Sequence, residues 1–73
     1  MQLIHRVGGC ENGTCPNFFD VVERPDLVAV QGTTLVDGEA LEQLSQMPGG
    51  ESVVLIPRGL LDEYARTKGW QPE

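Results

Sequence analysis

The chain's two cysteines stand close together in the stretch HRVGGCENGTCPNFF, with four residues between them, in a glycine-rich run that ends on Pro16. A pair placed this way has several readings, and each requires different surroundings. Zinc prefers four thiolate or imidazole ligands in a tetrahedron, and Cys10-x4-Cys15 lies at the wide end of the spacing of metal-binding turns. It supplies half a site. His5, the single histidine, with a carboxylate such as Glu11 or Asp20, could complete the set within one chain, or a second copy could bring two further thiolates. A disulfide would instead close a small loop and contribute about 2 kcal/mol by the chain-entropy argument. A thioredoxin-like redox site expects two residues between its cysteines at a helix start, which this spacing does not offer. Free thiols shaping a turn are the plain alternative.

Size sharpens the question. With 73 residues there is room for one small domain, 1–73, in which 10–16 form the cysteine loop and 70–73 a frayed tail. A chain this short buries only about 60% of the surface its unfolded form exposes, so burial and chain entropy nearly cancel. A staple or a second copy of the chain is therefore expected, and a homodimer is the simplest form of the latter. Eleven carboxylates against five Lys and Arg give a formal charge of −6, which opposes direct binding to nucleic acid and to anionic membranes and favours a basic partner. MQLIHRVGG has no apolar run of signal-peptide length and no stretch approaches a membrane span, so a cytoplasmic protein is expected. In that compartment thiols are held reduced, which disfavours a stable disulfide.

The hydrophobic pattern predicts an α+β fold. QLIHRV alternates weakly as a first strand, with Leu3, His5 and Val7 on one face and Ile4 and Arg6 on the other. FFDVVER and LVAVQG read as two further strands, and the short Arg24-Pro25-Asp26 link pairs them as an antiparallel hairpin. Next, Asp37 caps a helix whose apolar positions are Ala40, Leu41, Leu44 and Met47, with Glu39 and Glu42 favoured near its start and Pro48 ending it. SVVLI is a continuous apolar run, read as a buried strand. Pro57 opens a second helix with Leu60, Leu61, Tyr64 and Ala65 as its stripe and Gly69 as its stop. The architecture expected is a small antiparallel sheet of three to four strands with two short helices packed on it.

No catalytic constellation emerges. His5 is near the cysteines only in sequence, and VQGTT and PGGES match no phosphate-binding loop, so an enzyme is not expected. The aromatic residues remain as candidates for a partner surface. Phe18 and Phe19 are adjacent, so on a strand one enters the core and the other can reach a partner. Tyr64 and Trp70 lie in and just beyond the last helix, and Glu39 and Glu42 form an acidic helix surface beside them in the candidate set.

The run from Cys15-Pro16 through DLVAVQG to VVLIPRGLLDEY resembles a group of short actinobacterial proteins, the BldB-like domain-of-unknown-function family commonly encoded beside XRE-type helix-turn-helix regulators. That resemblance implies a small acidic partner or modulator of a transcription regulator and supplies no catalytic residue. The function expected is thus a non-enzymatic interaction module that binds a protein partner. Two alternatives stand beside it: a zinc-stapled minidomain whose metal ligands are Cys10, Cys15 and His5, and a nucleic-acid mimic whose carboxylates imitate phosphates.

Overall fold

A computed structural model describes residues 1–69. Three strands, β1 (Leu3–Gly8), β2 (Asn17–Val21) and β3 (Val28–Gln31), form an antiparallel sheet in that order. A two-residue strand β4 (Thr33–Thr34) continues beyond Gly32 and pairs with β5 (Val54–Leu55) as a separate ribbon. Helix α1 spans Gly38–Glu42 and helix α2 Arg58–Thr67. The fold is a small α+β arrangement, as the pattern predicts. The β2–β3 hairpin falls where the Arg24-Pro25-Asp26 link places it, held by a two-pronged pair in which Arg24 Nε and Nη2 donate to Asp26 at 3.0 and 2.7 Å.

The β1–β2 hairpin is set by a two-residue turn at Asn12-Gly13. Asn12 and Gly13 both take positive φ, 53° and 82°, as a two-residue primed turn requires, and Asn-Gly is the preferred pair for it. Glu11 and Thr14 exchange both backbone hydrogen bonds across the turn, at 2.7 and 3.0 Å, and Gly9 N–H donates to the Pro16 carbonyl at 3.1 Å. Gly8, at φ 107°, lets the strands approach, since a Cβ there would collide with that carbonyl.

One expectation about faces is corrected. Leu3, Ile4 and His5 oppose Val21, Asp20 and Phe19, but after Arg6 the register slips by one, and Val7 opposes Phe18. Arg6 is the extra residue of a β-bulge. The bulge carries Val7 to the face of Ile4 and Arg6, away from Leu3 and His5. There it meets Phe18 under α2, whose Tyr64 ring stacks on Phe18 with centroids 4.8 Å apart. Val7, Phe18 and Val21 are the buried hydrophobic side chains among the described residues.

The helices also depart from expectation. Asp37 caps α1, accepting from Ala40 N–H at 2.9 Å, but the helix stops after five residues and Leu44 and Met47 lie beyond it. Neither helix has a fully buried residue, but α2 packs against β1 and stacks Tyr64 on Phe18, whereas α1 makes no comparable contact with the sheet. A helix this short is unstable without tertiary contacts. SVVLI shortens to β5, with Leu55 exposed. Trp70 and the expected tail 70–73 lie outside the described residues.

Candidate functional site

The hairpin tip answers the question posed by the cysteines. With Glu11 and Thr14 hydrogen-bonded, the next pair outward, Cys10 and Cys15, falls at a position without hydrogen bonds, where side chains of opposite strands come closest. Their Cα atoms are 3.8 Å apart and the sulfurs form a disulfide. The thiols are therefore neither free nor separate ligands here. A two-residue turn flanked symmetrically by Glu11/Thr14 and Cys10/Cys15 was legible in CENGTC, had Asn12-Gly13 been read as a turn.

Behind the disulfide, Asn17 ties three strands together, a role no sequence signal announced. Its amide nitrogen donates to the Cys15 carbonyl at 3.0 Å and to Gln31 Oε1 at 2.9 Å, and its Oδ1 accepts from His5 Nε2 at 2.8 Å. Asn17 is buried, so these partners replace lost water. His5 is turned to this bond and to an edge-on contact with Phe19, ring centroids 5.6 Å apart. Among the described residues no three His, Cys, Asp or Glu side chains converge as a metal site. Between the hairpin tip and the first turn of α2 lies a cleft of about 650 Å³ lined by Gly8, Cys10, Glu11, Pro57, Leu60 and Glu63.

A second cluster lies on the α2 face of the sheet. Asp20 Oδ2 accepts from Arg6 Nε and Lys68 Nζ, each at 2.7 Å, and Oδ1 accepts from Tyr64 O–H at 2.7 Å. The Lys68, Tyr64 and Arg6 donors hold the Asp20 carboxyl well below the ordinary carboxylate range. The same contact raises the Tyr64 phenol, because the hydrogen bond it donates to Asp20 holds its proton, and burial and the carboxylate charge add to this. The donors come from β1 (Arg6), from α2 (Tyr64) and from the C-cap of α2 (Lys68), so the cluster locks α2 to the β1–β2 hairpin. The bulge is what aims Arg6 at it.

Of the residues expected to reach a partner, Phe18 is buried at 3% exposure and holds the core. Phe19 is half-buried against His5, and Tyr64 is half-buried between Phe18 and Asp20. Glu39 and Glu42 are exposed on α1, in the company of Val36, Leu41, Leu44 and Met47, all exposed, with Val36 at 79%. Beyond α1, Leu44, Met47, Gly50, Glu51 and Val53 line a cleft of about 450 Å³. Carboxylates are distributed over β2, the turns, α1 and α2, and Asp20, Glu23 and Asp26 are engaged in ion pairs. No described helix is long and apolar enough to cross a membrane. Comparison with protein-family models, with curated proteins and with solved structures returned no match.

Proposed function

We propose that this chain is a small acidic interaction module without catalytic activity, which docks a basic, partly apolar segment of a protein partner on residues 36–51. One observation carries the reading. Val36, Leu41, Leu44 and Met47 expose apolar surface in a contiguous stretch of chain that also carries Glu39, Glu42 and Glu51, and α1 there buries nothing of its own. Apolar surface rimmed by one sign of charge suits a partner of the opposite sign, the apolar part supplying affinity and the charge steering the approach. The resemblance to the BldB-like group supports a helix-turn-helix transcription regulator as the first partner to try, with this chain as its modulator.

The test is capture from a native lysate at physiological salt, using the intact chain and two variants. The wild type is expected to retain a helix-turn-helix regulator, Leu41→Ser/Leu44→Ser to lose it, and Glu39→Lys/Glu42→Lys to bind less with a weaker salt dependence. Retention of no protein by the wild type, or equal retention by all three, would overturn the proposal.

A further inference from the structure

The sheet has two edges, and they are finished differently. On β1 the edge is interrupted by the bulge, carries the Arg6 guanidinium and is packed by α2. Those are the devices by which natural sheets block pairing with another chain. On β3 the outer edge has none of them. Its sequence, Val28-Ala29-Val30-Gln31, has no charge and no proline, and no described strand other than β2 pairs with it.

The side chains on this edge are equally unfinished. Val28 opposes Asp20 and Val30 opposes Phe18, so both valines stand on the face that α2 covers. The helix lies over β1, however, and leaves Val28 and Val30 at 44% and 38% exposure.

We propose that the β3 edge is a self-association site, where β3 of one copy pairs antiparallel with β3 of a second copy about a twofold axis at Ala29. A twofold normal to a sheet keeps each face on its own side, and residues directly opposite one another share a face. The axis at Ala29 meets both conditions: Ala29 faces Ala29, and Val28 of each copy faces Val30 of the other. Three strands from each copy become one continuous sheet, and four valines form an apolar cluster over the seam between the two α2 helices. The hairpin tips sit at the outer side of β2 and β1, so the disulfides of the two copies stay apart, and a metal site shared by four thiolates is not part of this dimer. The association involves neither residues 36–51 nor a foreign partner, so it stands or falls independently of the proposed function.

Sedimentation equilibrium on the full chain across the micromolar range tests it. The wild type is expected at twice the 8.0 kDa monomer mass. Val28→Lys/Val30→Lys is expected at the monomer mass with an unchanged circular dichroism spectrum, because both side chains are already exposed in the single chain. Val22→Lys, an exposed position outside the paired edge, keeps the dimer. A wild type at 8.0 kDa throughout, or an edge variant that still dimerises, overturns the proposal. Should the double variant unfold, hydrogen exchange on the wild type decides instead: amides of residues 28–31 gain protection as concentration rises, and protection independent of concentration refutes the seam.

Discussion

The β1–β2 hairpin, residues 3–21, and the segment 35–53 are equally long, and each has glycines and an apolar periodicity, yet they end in opposite conditions. The hairpin contains all the buried hydrophobic side chains among the described residues, a disulfide and the buried Asn17. The second segment makes a correct helix cap at Asp37 and then only five helical residues, with nothing buried. Local signals were present in both. The difference is that cross-strand partners fix the hairpin at many points, whereas α1 has no surface to pack against and so lacks the burial that extends a helix. The hairpin carries the architecture, and the second segment leaves Val36, Leu41, Leu44 and Met47 exposed.

Four changes would break or sharpen that contrast. Phe18→Ala removes the ring between Val7 and Tyr64 and is expected to cost about 3–5 kcal/mol. In a domain this small that approaches the whole stability, so loss of the cooperative urea transition is the expected readout. Opening the disulfide with reductant, or Cys10→Ser/Cys15→Ser, should cost about 2 kcal/mol by loop entropy and lower the melting temperature by roughly 8–16 °C. The hydrogen-bonded Asn12-Gly13 turn should survive it, so strand signals in circular dichroism should persist at low temperature.

Asp20→Asn is read as a pH dependence. The Asp20 carboxyl titrates below its unfolded value of about 4, so its stabilisation is present above that pH and is lost as pH falls toward the folded value. The variant should be less stable at neutral pH and should show a flatter decline of melting temperature between about pH 4 and pH 2. Equal slopes in wild type and variant would mean that the α2 lock does not depend on this carboxylate. The smallest effect belongs to Asp37→Ala. It should reduce helicity slightly and change global stability by less than about 1 kcal/mol, because α1 supports no core. A larger loss would show that the segment 35–53 is tied into the fold after all.

By itself the sequence determined the α+β class, the β2–β3 hairpin at Arg24-Pro25-Asp26, the cap at Asp37 and the second helix with its stop near Gly69, because each of these rests on interactions between residues a few positions apart. It also held the Asn12-Gly13 turn, and with it the register that sets Cys10 against Cys15, since a two-residue turn fixes the pairing of its neighbours. The tertiary structure alone decided the rest. The bulge at Arg6 reverses the face of Val7, and alternation cannot anticipate an inserted residue. Asn17 reaches His5 and Gln31, and Asp20 reaches Tyr64 and Lys68, across separations of up to 48 residues. Such contacts exist only once strand pairing and helix docking have brought distant backbone together, and no local propensity encodes them.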